Sequence, residues 1–89
     1  MKKHIFITGR VQGVGFRHFT RKNADRIGIT GWVKNLPDGR VEALFQGPEQ
    51  KVHELIDRCK EGPISAYVKE IDVNKAEDAK DHDSFEVIL

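Results

Sequence analysis

The sequence predicts an α+β fold whose elements follow the order β-α-β-β-α-β. Three observations support this order: short runs of β-branched and aromatic residues, two segments of helical periodicity between these runs, and turn residues at the boundaries of most elements. No internal repeat or low-complexity segment interrupts the chain. This is the split-βαβ, ferredoxin-like arrangement, which packs two helices on one face of a mainly antiparallel sheet of four or five strands.

The first strand, predicted over 4–9, leads through a loop containing Gly13 and Gly15 into a helix. Apolar side chains recur on one face of that helix, and Gly28 supplies a C-terminal stop. The recurring apolar residues are Phe16, Phe19, Ala24 and Ile27.

A hairpin follows, with strands predicted over 29–36 and 41–46. The residues between them, Pro37, Asp38 and Gly39, have the chemistry of a tight turn. Proline presets φ, aspartate can bond its local backbone, and glycine can adopt a positive φ.

A second helix is predicted from Pro48 to the Gly62-Pro63 pair, because apolar residues recur at i, i+3, i+4 and i+7. These residues are Val52, Leu55, Ile56 and Cys59. The segments 67–73 and 85–89 predict one or two closing strands around a charged loop, 75–83. That loop lacks the spacing and glycine of a calcium loop, so we interpret it as solvated.

Composition is that of one globular domain over residues 1–89, with 38% hydrophobic and 33% charged residues. The apolar run 5–7 is too short for a secretory signal or a membrane span. The single cysteine, Cys59, cannot form an internal disulfide, which agrees with a reducing compartment, and its helical position favours core packing. We expect a cytoplasmic monomer that binds no membrane.

Charge is divided unevenly along the chain. Residues 1–37 carry eight lysines and arginines and one acid, Asp25, whereas the remainder carries seven basic and thirteen acidic residues. This asymmetry predicts that anionic ligands are steered towards the N-terminal half. The alternative is that most of these side chains only form a solvated face.

The loop before the first helix has the chemistry of a phosphate cradle. Amides at a helix N-terminus have no intrahelical acceptor, the helix dipole favours an anion there, and glycines let the backbone approach an oxyanion closely. A Walker loop is excluded because Gly-Lys-Ser/Thr is absent, and a dinucleotide-binding loop because its third glycine is replaced by His18, so the motif favours a compact phosphate. The candidate binding residues are Val11, Gln12, Gly13, Val14, Gly15, Phe16 and Arg17.

Arg17 lies in the first helical turn, where a cation opposes the dipole by about 0.3–1 kcal/mol. A charge-assisted hydrogen bond to a bound anion is worth about 1.5–3 kcal/mol, so the comparison favours a ligand role over a tolerated surface arginine. The next residue, His18, is rotated by about 100° around the helix and is expected at the surface.

Asn35 stands out near the end of the second strand, on the same face as Gly31 and Val33. Its amide can hold a water or a substrate oxygen without titrating. The alternative is that it bonds its own turn.

Two segments, GRVQGVGFR at 9–17 and GWVKNLPDGRVEALFQG at 31–47, resemble the two signature motifs of the acylphosphatase family. The resemblance implies hydrolysis of a carboxyl phosphate to a carboxylate and inorganic phosphate, with no metal and no cofactor. It also implies that Arg17 binds the phosphate and that Asn35 orients the water. The C-terminal Glu86–Leu89 matches the family only in its apolar character, and we infer no catalytic role there.

The chemistry agrees with this implication, because a carboxylate leaving group has a conjugate pKa of about 4 and needs no general acid. The expected partner is therefore a small-molecule acyl phosphate. A binding module is the alternative, either an anion sensor or a nucleic-acid binder that uses the basic half or exposed aromatic residues. We expect no nucleic acid partner, since the RNA-recognition signature is missing.

Overall fold

The computed structural model describes every residue from Met1 to Leu89 and confirms the predicted fold class, with five strands. Neither helix has the length and apolar character that a bilayer crossing requires. In chain order the elements are β1 (Lys2–Arg10), α1 (Phe16–Ile27), β2 (Thr30–Asn35), β3 (Val41–Gln46), α2 (Glu49–Glu61), β4 (Tyr67–Lys75) and β5 (Phe85–Ile88).

The five strands form one sheet in the order β4-β1-β3-β2-β5. All neighbouring pairs are antiparallel except β2 and β5, which run parallel with Gly31 opposite Phe85 and Val33 opposite Val87. Because β4 and β5 occupy opposite edges, the chain between them must cross the sheet. We call this crossing segment, residues 76–84, the strap.

The core lies between the sheet and the two helices. Ile5 and Ile7 of β1 are fully buried there, since alternate residues of a strand share a face. On α1, Phe16 and Ala24 are buried as predicted, whereas Phe19 and Ile27 are only half-buried. Two polar residues take the remaining core positions of that helix: they are Thr20 and Asn23, whose side chains donate to the carbonyls of Phe16 and Phe19 at 2.9 and 2.8 Å. Because their side chains are hydrogen-bonded, burying these two polar residues costs little free energy. The apolar repeat in the sequence does not show that they are buried.

The strap lies on the face of the sheet away from the helices, where its Ala76 and Ala79 approach Trp32 and Leu44. The ammonium of Lys2 donates to the carbonyl of Ala79 at 2.7 Å. The expected solvation holds for the charged side chains of the strap, while its backbone is held against the sheet. The exposed charged residues are Glu77, Asp78, Lys80, Asp81 and Asp83.

Two further contacts fix the strap. The Lys2 ammonium lies 2.6 Å from a carboxylate oxygen of Asp81, and this contact lowers the pKa of that carboxyl below its usual value. The amide of His82 donates to the side-chain oxygen of Gln46 at 2.9 Å. The path of the strap therefore determines where β5 begins, beside β2.

Candidate active site

The predicted cradle joins the end of β1 at Arg10 to the start of α1 at Phe16. Gly13 and Gly15 have φ of 74° and 77°, in the left-handed region that favours glycine. A Cβ on either glycine would meet no atom within 4 Å. The backbone conformation, and not a lack of space, is therefore the reason that this loop needs glycine.

The amides of the cradle have no acceptor in the backbone. None of residues 12–17 donates a backbone hydrogen bond, and the first bond into α1 runs from Phe19 to the carbonyl of Gly15 at 3.0 Å. No side chain caps this helix, and its first turn contains no acid. The unpaired donors and the positive end of the helix dipole thus remain available to an anion.

The Arg17 side chain extends from the first turn of α1 towards β5. Its Nη1 donates to the main-chain carbonyl of Ile88 at 3.2 Å. A guanidinium has five N–H donors, so this anchor leaves others for a ligand. The segment Glu86–Leu89, for which we infer no catalytic role, therefore contacts the candidate site through its backbone. A carbonyl contact depends on the path of the backbone, and no residue type in the sequence signals it.

Asn35 ends β2, opposite Val41 of β3. Its side-chain oxygen is the only buried side-chain nitrogen or oxygen in the protein without a hydrogen-bond partner. An unpaired buried carbonyl group is unfavourable, so the fold does not use this amide fully, and Asn35 also lines the cavity described below.

The hairpin turn does not use Asn35. Its local bond comes from Asp38, whose Oδ1 accepts from the amide of Arg40 at 3.0 Å, and Gly39 has a φ of 96°. The Arg40 amide, together with its guanidinium at 2.9 Å from Oδ2, holds the pKa of Asp38 below its usual value. The turn chemistry predicted for Pro37, Asp38 and Gly39 is confirmed, and the alternative role of Asn35 as the residue that bonds the turn is not what the structure shows.

Gln12 ties the cradle to the same hairpin. Its Nε2 donates to the carbonyls of Leu36 and Arg40 at 2.8 and 2.9 Å. Sequence reasoning included Gln12 only for its amide and missed its side chain. The available signal was a long amide side chain in a loop made otherwise of glycine and valine.

Arg17 and Asn35 meet at one open cavity of about 360 Å³. Of the predicted loop residues, Gln12 and Val14 lie outside this lining. The charged or titratable side chains of the lining are all basic in type, so the cavity favours anions. The lining consists of Val11, Gly13, Gly15, Phe16, Arg17, His18, Arg21, Asn35 and Val87.

Two other residues behave largely as the sequence predicts. His18 is exposed, although it also lines the cavity. Cys59 is fully buried, and burial raises the pKa of its thiol to about 12. A thiol with so high a pKa is not a nucleophile at neutral pH, which supports its packing role.

Comparison with known proteins matches this chain to one family. The family model described as acylphosphatase matches residues 3–87. An acylphosphatase from Trichormus variabilis is 51% identical over 77 residues, which cover 86% of this chain and 76% of that protein. One from Syntrophus aciditrophicus is 46% identical over 85 residues, covering 96% and 88%. The crystal structure of acylphosphatase from Bacillus subtilis is 39% identical and superposes with a TM-score of 0.95, covering 99% of this chain and 98% of that one.

Proposed function

The chain belongs to the acylphosphatase family, and from this membership we infer that the cavity between the cradle and Asn35 is its active site. It is an acylphosphatase, a hydrolase that acts on small acyl phosphates. The observation that carries the site assignment is the convergence of three donors or acceptors on one cavity. These are the unpaired amides of the cradle residues that line the cavity, the Arg17 guanidinium and the side-chain amide of Asn35.

In the proposed mechanism the phosphate of the substrate lies in the cradle. The amides and Arg17 hold its oxygens and stabilise the charge that spreads over them as the bond to the acyl oxygen breaks. The Ile88 carbonyl holds the guanidinium in place before the substrate arrives, so little reorganisation is needed. Phosphate binding and charge stabilisation are therefore assigned to 11–17.

Asn35 orients the attacking water. Its side-chain amide lines the cavity and hydrogen-bonds the water, which points an oxygen lone pair at phosphorus. Water attacks phosphorus, the phosphorus–oxygen bond to the acyl group breaks, and the electron pair leaves with the carboxylate. The proton of the water passes to an oxygen of the transferred phosphate. No general acid is required, because the leaving carboxylate has a conjugate pKa of about 4.

We propose that this reaction needs no metal. N–H donors and guanidinium groups present positive charge to the cavity, and they complement an anion and repel a cation. Charge stabilisation by these groups takes the place that a metal ion occupies in many phosphatases.

Hydrolysis of acetyl phosphate and benzoyl phosphate in excess chelator tests this assignment. We expect release of inorganic phosphate at the same rate with and without chelator, and no hydrolysis of glycerol phosphate, whose alkoxide leaving group needs a proton. Absence of acyl phosphate hydrolysis, or activity that returns only when a divalent metal is added, would contradict the proposal.

We also propose that residues 1–89 act as a single domain, as a cytoplasmic monomer without a nucleic acid partner. Support comes from the small formal net charge of +1 and from the burial of the single cysteine. Light scattering after size exclusion should give the mass of one chain. A gel-shift titration at two ionic strengths should show no complex with RNA or DNA, since a nucleic-acid binder would bind at low salt and lose affinity steeply as salt rises.

A further inference from the structure

A second open groove continues from the active-site cavity along α1. It has a volume of about 770 Å³ and runs between α1, the start of β2 and β5. The groove and the cavity share two lining residues, Arg21 and Val87. Anything that extends from the cradle along the helix therefore passes these two side chains first.

The proposed function gives this groove a possible occupant. When the phosphate lies in the cradle, the acyl group must extend away from it, and the groove offers space that is continuous with the site. Its near wall is the apolar side chain of Val87, whereas Ile29 and Phe85 farther along are almost fully buried. The groove has room for a short acyl chain that passes Val87, and this inference rests on the proposed active site.

Arg21 is placed to contact the far end of a short acyl chain. It follows Arg17 by four residues, so the two lie on the same side of α1 about 6 Å apart along the axis. Its side chain is 56% exposed, and its Nε lies 3.7 Å from the carboxylate of Asp25, longer than an ordinary hydrogen bond. The guanidinium therefore keeps donors for a ligand.

Charge changes sign beyond Arg21. The titratable residues that line the active-site cavity are Arg17, His18 and Arg21, whereas the titratable residues of the rest of the groove, Asp25, Asp83 and Glu86, are all acidic. An anionic group is therefore stabilised beside Arg21 and repelled farther along. Asp25 also disfavours a dianion there, which leaves a carboxylate as the best match for the guanidinium.

We propose that Arg21 is a specificity-determining residue, and that it selects acyl phosphates whose short acyl chain ends in a second carboxylate. Arg17 and the cradle hold the phosphate, and Arg21 holds the carboxylate one helical turn away.

The test compares succinyl phosphate with butyryl phosphate, which has the same chain length and a methyl group in place of the carboxylate. We expect wild type to prefer succinyl phosphate in kcat/KM. In Arg21→Gln the succinyl-to-butyryl ratio of kcat/KM should fall about three- to ten-fold, the range for a charge-assisted contact at a half-exposed site. The matched control is Lys22→Gln, which removes the same charge from an exposed neighbour that lines neither cavity and should leave the ratio unchanged.

Two further measurements separate this role from general charge steering. Adipoyl phosphate should lose the advantage over hexanoyl phosphate, because its longer chain carries the carboxylate past Arg21 towards Asp83. The succinyl preference should also shrink between about 0.02 and 0.5 M salt, since Arg21 is exposed to solvent.

The outcomes distinguish this inference from the proposed function. If wild type hydrolyses butyryl phosphate but Arg21→Gln keeps the wild-type ratio, or loses both substrates equally, the carboxylate role of Arg21 is overturned and the hydrolase assignment stands. If wild type hydrolyses neither substrate, the assignment of the site itself fails. Thermal unfolding of both variants checks that each is folded.

Discussion

At Asn35 the fold keeps a buried oxygen without a partner, whereas Asn23 of α1 is also buried but uses both ends of its amide. Asn23 donates to the Phe19 carbonyl at 2.8 Å and accepts from Arg26 at 2.6 Å. Leaving a buried polar group unsatisfied costs about 1–3 kcal/mol. The two asparagines therefore form a natural pair in which one stabilises the fold and the other has the role in the reaction that we propose.

Replacing Asn35 by alanine should lower kcat by about 10²–10³-fold, because the water loses the amide that orients it. Inhibition by inorganic phosphate should change by less than about two-fold, since the cradle is intact. The free energy of unfolding should stay constant or rise, because the unpaired oxygen is removed. Steady-state kinetics and urea unfolding measure these effects.

Asn23→Ala is the control for that experiment. It should lower the free energy of unfolding by about 1–2 kcal/mol and keep turnover near that of wild type. If Asn35→Ala destabilised the protein as much as Asn23→Ala does, the oxygen of Asn35 would have a structural partner and its assigned role would be wrong.

Arg17→Ala should reduce both turnover and inhibition by inorganic phosphate, because one guanidinium serves ground-state binding and charge stabilisation together. We expect the inhibition constant for phosphate to rise at least about ten-fold, the value of one charge-assisted hydrogen bond. Arg58→Ala removes the same charge from an exposed position of α2 and should leave both quantities unchanged. Equal loss of phosphate binding in Arg17→Ala and Asn35→Ala would refute the division of roles between them.

Among the elements, the cradle depends on its left-handed glycines. Gly15→Ala should cost about 1–2 kcal/mol in the free energy of unfolding, because alanine at a φ of 77° is strained although no atom obstructs its Cβ. Relief of this strain turns the neighbouring amides, so phosphate inhibition should weaken as well. Urea unfolding and phosphate inhibition give the two readings.

Gly39→Ala provides the comparison. Gly39 has a φ of 96°, and its added Cβ would also meet nothing within 4 Å, but it lies at the hairpin tip outside the cavity. It should show a similar loss of stability and no change in phosphate inhibition. If phosphate inhibition were equally strong in Gly15→Ala and wild type, the cradle amides would not be binding groups.

Most elements could be predicted from the chain because local chemistry determines them. Gly28 ends α1 with a left-handed conformation, and the Pro37–Gly39 turn sets the register of β2 and β3. The strap was harder to predict, since its contacts join Lys2 and Gln46 to residues far along the sequence. A charge run signals solvation, but it does not show which backbone groups are held against the sheet.

The same limit applies to the site. The glycines at 13 and 15 and the motif residues Arg17 and Asn35 are readable from sequence, because their roles depend on residue type. The Ile88 carbonyl and the side-chain bonds of Gln12 depend on how distant segments meet. These contacts required the structure.

For the whole molecule, the buried thiol of Cys59 links stability to alkaline pH. Burial raises its pKa from 9.0 to about 12, against a weaker opposing effect of the Thr20 hydroxyl. The unfolded chain therefore loses this proton at a lower pH than the folded chain does. The associated stability is complete below pH 9 and is lost as the pH rises from about 9 towards 12.

Above pH 9 we expect ionisation of the Cys59 thiol to lower the free energy of unfolding by up to about 1.4 kcal/mol per pH unit. Cys59→Val, which keeps an apolar side chain of similar size in the core, should flatten that part of the curve relative to wild type. Urea unfolding at several pH values under reducing conditions gives both curves. Parallel curves for the two proteins would show that the thiol ionises equally in the folded and unfolded chains.

The groove beside the proposed active site is bordered on one side by residues 83–87, far along the chain from the loop at 11–17. Evolution can therefore alter one stretch while the other stays unchanged. On the proposal made above, substitutions at Asp83 or Ser84 alter the surroundings of the acyl group and leave the cradle amides and Arg17 in place. The preference among acyl phosphates and the recognition of phosphate can then change independently.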